Sequence, residues 1–154
     1  PSWWLFRAKL SHATVLHRVW DMLAIIKFIN SVSGSGERCW ICLGQKSMYR
    51  LDVFDFVGLE DVVEKLKGKP VYFTVDLDVL DAAVFPGTGT PEAGGVSFDE
   101  LRRAMNLVAN KCNVVGCDMV ELSPPYDQSG ISTATALKLL REYLLALDYN
   151  INNK

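Results

Sequence analysis

Length, composition and charge exclude several classes of protein for this chain. Its 154 residues, 49% hydrophobic and 22% charged, are typical of one globular domain that can bury a core. A net charge of −2 at pH 7 gives no reason to expect nucleic acid or an anionic membrane as a partner. No apolar run approaches the roughly 20 residues that span a bilayer, and the N-terminal residues lack a secretory signal pattern. We therefore expect a cytoplasmic protein without nucleic-acid or membrane partners.

The first segment with a clear pattern covers residues 10–29. Apolar residues recur at helical spacing from Val15 to Leu23, and Ser11 can serve as an N-cap, so we predict a mostly helical segment. His12 and His17 lie near its start. From the residues alone, both histidines are best interpreted as surface side chains.

Residues 31–56 have the weakest pattern in the chain. Cys39–Leu43 and Tyr49–Phe54 each have the length and composition of a short strand. The C-x-x-C spacing of Cys39 and Cys42 occurs in redox and zinc sites, but no further Cys or His lies nearby to complete four ligands. We favour the interpretation that Cys39 and Cys42 are buried, reduced thiols. The same interpretation is favoured for the later pair, Cys112 and Cys117. An amphipathic helix is then predicted from Leu59 to Lys67, ending at Gly68.

The most informative stretch starts with the run Val71–Val75. This β-branched and aromatic run predicts a strand that is buried on both faces of a parallel sheet. Asp76 and Asp78 follow where the strand ends, and in an extended chain their side chains would point to the same side. Two like charges held so close need a cation or a proton between them, and a hard divalent metal is the obvious candidate. Open α/β sheets bind ligands at this end of their strands.

A loop rich in glycine and proline follows these acids. It contains Asp81, the segment Pro86–Pro91 with its two threonines, and the pair Gly94-Gly95. Glycines allow close backbone approach, prolines limit the entropy lost on ordering, and the threonines offer hydroxyl groups. We favour the wall of a pocket over a surface turn with solvated acids.

The C-terminal part predicts two helices and one further strand. Ser97 and Glu100 form a capping box that starts a helix to about Ala109. Val114–Asp118 is predicted as another buried strand, with more acids at its carboxyl end: Asp118, Glu121 and Asp127. The last helix covers about residues 132–147, and we expect one face to carry Ala134, Leu137, Leu140, Tyr143, Leu144 and Leu147. Strands that alternate with helices, without hairpin signals, predict an α/β fold with β-α-β crossovers and a mainly parallel sheet.

Two motifs resemble a known enzyme family. The run DLDVLDAAVFPGTGTPEAGG and the later DMVELSPPYDQSGIST are similar to the C-terminal half of the ureohydrolases (the arginase and agmatinase family), and the PGTGTPE form most resembles agmatinase. The family usually has serine where Thr74 stands and proline where Ala82 stands. The GGDH-type and DAHxD-type metal motifs of the family do not occur, and of its GIRSG-like motif only Ser35-Gly36 is kept. The resemblance implies that residues 1–154 are a single, partial domain.

The resemblance also implies a site and an activity. Asp76 would bridge two manganese ions and Asp78 would bind one of them, while Glu121 would hold the guanidinium of the substrate. His12 would relay a proton, Thr90 would buttress Glu121 or the pocket wall, and Asp118 would support the geometry. The expected reaction is hydrolysis of a guanidino group to urea and an amine, most simply agmatine to putrescine in polyamine biosynthesis.

The expected fold is a three-layer α-β-α arrangement of the arginase type, incomplete here. The full-length protein is expected to form a homo-oligomer. Its expected binding partner is a small cationic guanidino substrate. With the upstream ligands absent, this chain is expected to bind manganese weakly and to be nearly inactive. Two alternatives stay open: a non-catalytic remnant of a ureohydrolase, and a haloacid-dehalogenase-type phosphatase, in which a strand also ends in D-x-D. The phosphatase is the weaker alternative, because Val-Leu follows Asp78 where that fold needs a Gly-Thr-like turn.

Overall fold

A computed structural model describes residues 24–28, 39–43, 47–51 and 58–153 of the chain. Predictions that concern His12, His17 and the segment 10–23 lie outside these residues. The described elements are β1 (Ala24–Phe28), β2 (Cys39–Leu43), β3 (Ser47–Leu51), α1 (Leu59–Lys65), β4 (Pro70–Asp76), α2 (Phe98–Lys111), β5 (Asn113–Val120) and α3 (Ile131–Asn152). Two short 3-10 turns, Leu77–Val79 and Pro124–Tyr126, follow β4 and β5.

The main sheet has three parallel strands in the order β1-β4-β5. The strand predicted at Val71–Val75 is therefore confirmed as β4, and it is the central strand of this sheet. Helix α2 lies between β4 and β5 in the chain, so these two strands and the helix form a β-α-β unit. The prediction of an α/β fold with a parallel sheet is confirmed.

Strand β1 corrects the prediction of a helix that runs to residue 29. Ala24–Phe28 pairs with Val71–Val75 in a parallel ladder, with Ile25 opposite Tyr72. Two adjacent β-branched residues, Ile25 and Ile26, favour extended backbone, and pairing with the central strand supplies partners for the backbone groups. The tertiary ladder thus overrides the helical spacing of the apolar residues.

Strands β2 and β3 form a separate antiparallel pair, with Ile41 opposite Tyr49. The prediction of a strand at Cys39–Leu43 is confirmed, whereas the next strand begins at Ser47 and ends at Leu51, earlier than predicted. The expectation that hairpins are absent is wrong. Only residues 44–46 separate the two strands, and a three-residue connection that contains glycine is a common hairpin loop.

The described helices form one layer on the sheet. Val71, Phe73 and Val75 alternate along β4, are buried, and belong to the core cluster. The ring of Phe73 lies 5.3 Å, centroid to centroid, from the ring of Tyr143 on α3, and α2 contacts both α1 and α3. The sheet and one helical layer are therefore present in the described part of the chain, where a helical layer on the opposite face is not found.

The predicted core face of helix α3 is correct for Tyr143, which is buried, and for Leu147, which packs against the core, and it is wrong for other members. Its buried residues are Ser132, Ala136, Leu139 and Tyr143. Leu137 and Leu144, which were expected on the core face, are 60% and 51% exposed. Because leucines and alanines occur on all sides of this helix, the apolar pattern alone cannot select the buried face.

Strand β5 is less buried than predicted, since its residues alternate between exposed and half-buried. No strand pairs with its second edge in the described part of the chain.

Cys112, just before the strand, is buried, and burial raises the pKa of its thiol to about 11. Cys117 is a free but exposed thiol, so the prediction of buried cysteines holds for Cys112 and fails for Cys117. Among the described residues, no helix is long and apolar enough to cross a membrane.

Candidate metal and substrate site

Three predicted site residues lie at one edge of the sheet. Asp76 is the last residue of β4 and pairs with Val120, the last residue of β5. Glu121 follows Val120 directly, and Asp78 lies two residues beyond Asp76. The expectation that these acids lie at the carboxyl ends of adjacent parallel strands is confirmed.

A 3-10 turn, and not continued strand, places Asp78. The backbone is extended up to Asp76 and then turns over Leu77–Val79. The carboxylate of Asp76 accepts a hydrogen bond from the backbone N–H of Asp78 at 3.2 Å, as an N-cap does. Asp78 itself is only 8% exposed. Asp76 therefore caps the turn that places Asp78, and the expected alternation of an extended chain does not continue to Asp78.

Two threonines hold the carboxylate of Asp78. Thr88 Oγ1 donates to Oδ1 and Thr90 Oγ1 donates to Oδ2, so both oxygens are fixed from one side. Thr88 is 3% exposed, whereas Thr90 is exposed. An ionised carboxylate has about four lone-pair sites, so it can accept hydrogen bonds from more than one donor. Thr90 was predicted to support the substrate pocket; its hydroxyl contacts Asp78, and its part in substrate binding stays a prediction.

Residues 86–90, which we call the threonine loop, join the ends of β4 and β5. The backbone O of Gly87 accepts a hydrogen bond from the N–H of Ser123 at 2.7 Å, two residues after Glu121. A Cβ placed on Gly89 would lie 3.9 Å from Oε2 of Glu121. The loop thus contacts both Asp78 and the segment that carries Glu121, as the prediction of a pocket wall requires.

The base of the following loop is fixed by Asp81. Its carboxylate accepts from the N–H of Ala83 at 2.8 Å and from the N–H of Gly94 at 2.6 Å. These backbone hydrogen bonds hold the pKa of Asp81 below its usual value. A Cβ on Gly95 would lie 2.6 Å from backbone atoms of Leu80 and Asp81, so no side chain fits there. Asp81 therefore serves the loop structure.

Glu121 has a left-handed backbone conformation, with φ of 71°. It is the single non-glycine residue with positive φ among the described residues. Such a conformation costs about 1–3 kcal/mol and persists where the surrounding structure imposes it, often at functional sites. The bend directs the chain from the end of β5 into the Pro124–Tyr126 turn, with the Glu121 carboxylate beside Gly89.

Asp118 supports the strand pair from the face opposite Phe73. Its carboxylate accepts from Tyr72 Oη at 2.7 Å and from Thr74 Oγ1 at 2.6 Å. The hydrogen bond to Asp118, then burial and the nearby negative charge, raise the pKa of Tyr72 to about 12. Asp118 lies within β5, opposite Thr74, because the strand continues to Val120 and does not end at Asp118 as predicted. Both of its oxygens bind neighbouring hydroxyl groups, which fits the predicted supporting role.

The described residues fit part of a site for a hard divalent cation. Asp76 and Asp78 offer carboxylate oxygens on a rigid sheet edge, and such ligands suit manganese or magnesium. Within residues 58–153 and the three earlier strands, no group of three or more His, Cys, Asp and Glu side chains could hold a metal ion. The two acids therefore supply only part of a ligand set. His12, the predicted catalytic residue, lies outside the described part of the chain. The side chains of Cys39 and Cys42 also lie outside it.

Sequence reasoning missed the residues that hold the threonine loop. Gly87 and Ser132 are 45 positions apart, yet the N–H of Gly87 donates to Ser132 Oγ at 2.7 Å. A Cβ on Gly87 would lie 2.8 Å from Ser132 and 2.9 Å from Asp127. The glycine at position 87 was a visible signal of close approach, but the sequence does not show which residue approaches it.

The fold and the site define an α/β protein with acidic residues at the carboxyl ends of adjacent parallel strands, which is where ligands bind in open sheets. Comparison with known proteins gives the family. Residues 5–146 match the arginase family, and the chain therefore belongs to that family.

Several relatives are enzymes with known names. The chain is 41% identical over 140 residues to the agmatinase of Bacillus anthracis, which covers 88% of this chain and 48% of the relative. It is also 41% identical over 113 residues to the mitochondrial guanidino acid hydrolase of Homo sapiens, covering 72% of this chain and 28% of the relative. The chain spans about half the length of the agmatinases it matches.

Solved structures support the same fold. Proclavaminate amidino hydrolase from Streptomyces clavuligerus superimposes with a TM-score of 0.56 at 38% identity, over 60% of this chain and 32% of that one. The agmatine ureohydrolase of Thermoplasma volcanium gives a TM-score of 0.53 at 33% identity, over 63% of this chain and 33% of that one. The resemblance to the ureohydrolases, and the incomplete arginase-like fold that it implied, are thus confirmed.

Proposed function

We propose that this chain provides the carboxyl-end acids of a manganese ureohydrolase that releases urea from agmatine. The observation that carries the proposal is the placement of Asp76, Asp78 and Glu121 at one sheet edge, joined by the threonine loop. The similarity to agmatinases over 88% of the chain supports the same reaction class.

The metal would be held by the two aspartates. Asp76 would hold manganese together with Asp78, whose carboxylate is oriented by Thr88 and Thr90. When bound, the metal supplies a Lewis acid and a water of lowered pKa for attack on the guanidinium carbon. On this proposal the protein keeps the metal-binding carboxylate in one orientation through two hydroxyl donors, so little reorganisation is needed when the ion binds.

The substrate guanidinium would be held by Glu121. A carboxylate can accept two parallel N–H bonds from a planar guanidinium, which fixes the carbon that is attacked. The bend at Glu121 would direct this carboxylate towards Gly89 and the threonine loop before the substrate arrives. His12 would pass a proton to the leaving amine. A small cationic guanidino compound also suits the acidic edge of the sheet.

The proposal also includes the product, the cellular compartment and the oligomeric state. Putrescine would be the amine product, the compartment would be the cytoplasm, and the complete protein would form a homo-oligomer. Because the GGDH-type and DAHxD-type metal motifs of the family do not occur in this sequence, the 154-residue chain alone would bind manganese weakly and turn over slowly. A non-catalytic role for this chain is the second candidate, and it is favoured by the same lack of these motifs.

A chimera separates these two candidates. The agmatinase of Bacillus anthracis would keep its upstream half, and this chain would replace the matched half, which is 41% identical. With manganese, the chimera should release urea from agmatine faster than from arginine or guanidinobutyrate, and it should release no phosphate from a generic ester. Glu121→Ala should remove the activity. A folded chimera that binds manganese but releases no urea would favour the non-catalytic role.

A further inference from the structure

A buried polar chain connects the start of α3 to the acids at the sheet edge. Ser132, in the first turn of α3, is fully buried at 0% exposure. Its Oγ accepts a hydrogen bond from the N–H of Gly87 at 2.7 Å. Gly87 is followed by Thr88, whose hydroxyl donates to Asp78. The hydroxyl of Ser132 is therefore linked, through Gly87 and Thr88, to the carboxylate of Asp78, which is proposed to bind metal.

Asp127 orients Ser132 from the other side. The Asp127 carboxylate accepts from the backbone N–H of Ser132 at 2.7 Å, and from Ser129 Oγ at 2.5 Å and Ser129 N–H at 2.9 Å. Hydrogen bonds from Ser129 and Ser132 hold the pKa of Asp127 well below its usual value. The bond from the Ser132 N–H to Asp127 fixes the backbone of Ser132 at the start of α3, and with it the position of the hydroxyl oxygen that accepts from Gly87.

The geometry at Gly87 leaves little freedom. Its N–H binds Ser132 and its carbonyl accepts from Ser123, each at 2.7 Å, so both backbone groups are used. A Cβ at this position would overlap Ser132 and Asp127. The loop residue before Thr88 is thus fixed by contacts on three sides, and the direction of the Thr88 hydroxyl follows from it.

We propose that Ser132, oriented by Asp127, is a positioning residue: it fixes the threonine loop, and through Thr88 it sets the orientation of the Asp78 carboxylate. This inference rests on the proposed metal role of Asp78. Ser132 contacts neither substrate nor metal, so it acts only through Gly87 and Thr88. Partners that orient metal ligands in this way commonly change metal affinity by about 10–100-fold when they are removed.

The test uses the 154-residue chain, manganese alone as the probe, and free-manganese electron paramagnetic resonance to measure affinity. Ser132→Ala should weaken manganese binding about tenfold. Ser129→Ala is the matched control, because Ser129 donates to the same Asp127 carboxylate but is exposed and has no hydrogen bond to the threonine loop. It should change the affinity less than about twofold. Equal affinities for the two variants would overturn the inference.

A double-mutant cycle tests the route through Thr88. Thr88→Val keeps the shape of the side chain and removes the hydroxyl. If Ser132 acts through Thr88, then Ser132→Ala should cost nothing further in the Thr88→Val background. Additive losses would show a different route and would contradict the inference.

A second measurement keeps the inference testable without metal. Amide hydrogen exchange at Gly87 and Thr88 should be faster in Ser132→Ala than in the wild type and in Ser129→Ala. If the wild-type chain alone binds no measurable manganese, the affinities are compared in the chimera. A chimera that also binds no manganese contradicts the proposed function, and the exchange result then decides the inference. If Ser132→Ala does not fold, Ser132→Cys takes its place, because it keeps a weak acceptor of similar size. Its loss of manganese affinity should be smaller than the roughly tenfold loss expected for alanine and larger than that of Ser129→Ala. Unchanged exchange at Gly87 would overturn the inference.

Discussion

Asp76 and Val120 are register partners at the last step of the ladder between β4 and β5. Because the two strands are parallel and end together, Glu121 leaves the sheet at the level of Asp76. The left-handed backbone at Glu121 then turns the chain sharply, while the 3-10 turn after Asp76 buries Asp78. Two strand ends with different local geometry thus bring three acids to one edge.

Backbone strain at Glu121 gives a first prediction. Glu121→Gly should be more stable than Glu121→Ala by about 1 kcal/mol, because glycine accepts positive φ without a Cβ penalty. Both variants lack the carboxylate, so their difference isolates the strain. Chemical denaturation monitored by circular dichroism measures it. Equal stability of the two variants would show that the left-handed conformation at this position costs nothing.

The contact between Thr74 and Asp118 gives a second prediction. Thr74 is buried, and its hydroxyl donates to the Asp118 carboxylate at 2.6 Å. Thr74→Val should lower the free energy of unfolding by about 2 kcal/mol, since it removes a hydrogen bond to a charged acceptor. Thr74→Ser keeps the hydroxyl and should cost no more than about 1 kcal/mol for the lost methyl group. A loss in Thr74→Val no larger than that in Thr74→Ser would contradict the assignment, because the hydroxyl would then contribute no more than the methyl group.

The pKa of Tyr72 gives a pH-dependent prediction. Its value is raised from 10.0 to about 12, chiefly by the hydrogen bond to Asp118, so the neutral phenol is favoured in the folded state. The stabilisation is complete below pH 10, where the unfolded phenol is still neutral, and it is lost as the pH rises from about 10 to 12. Denaturation of the wild type and of Tyr72→Phe across this range measures it. The wild type should lose stability relative to the variant, and a constant difference would contradict the assignment.

Two glycines in the threonine loop give a matched pair of variants. A Cβ on Gly87 would lie 2.8 Å from Ser132, whereas a Cβ on Gly89 has only Glu121 Oε2 nearby, at 3.9 Å. Gly87→Ala should therefore destabilise the protein by about 1–3 kcal/mol through overpacking, and Gly89→Ala should be nearly neutral in stability. Thermal unfolding compares the two. A larger loss for Gly89→Ala would show that the loop is placed differently.

The sequence predicted the parts of this site that depend on local pattern. The apolar run before Asp76, the capping box at Ser97, and the acids at two strand ends are all visible from short stretches, and the structure confirms each of them. The resemblance to the ureohydrolases, which was stated on the motifs around Asp78 and Glu121, is confirmed by the family match.

Features that depend on distant partners were not predictable. Strand β1 forms because it pairs with β4, and the apolar spacing of that segment points to a helix instead. The contact between Gly87 and Ser132 joins residues 45 positions apart, and no local pattern encodes it. The predicted core face of α3 was wrong in part for a related reason: apolar residues occur around the whole helix, so the packing partners decide which of them are buried.

The most direct test of the central claim, that Asp76 and Asp78 form part of a manganese site, is a manganese titration of the 154-residue chain followed by electron paramagnetic resonance. Wild type should bind manganese weakly, and Asp76→Asn and Asp78→Asn should each abolish the binding, because each removes a carboxylate charge from an already small ligand set. Asp61→Asn, on the exposed face of α1, serves as the control for lost charge and should leave the binding unchanged. Manganese binding that survives in both edge variants, or that falls equally in Asp61→Asn, would contradict the claim.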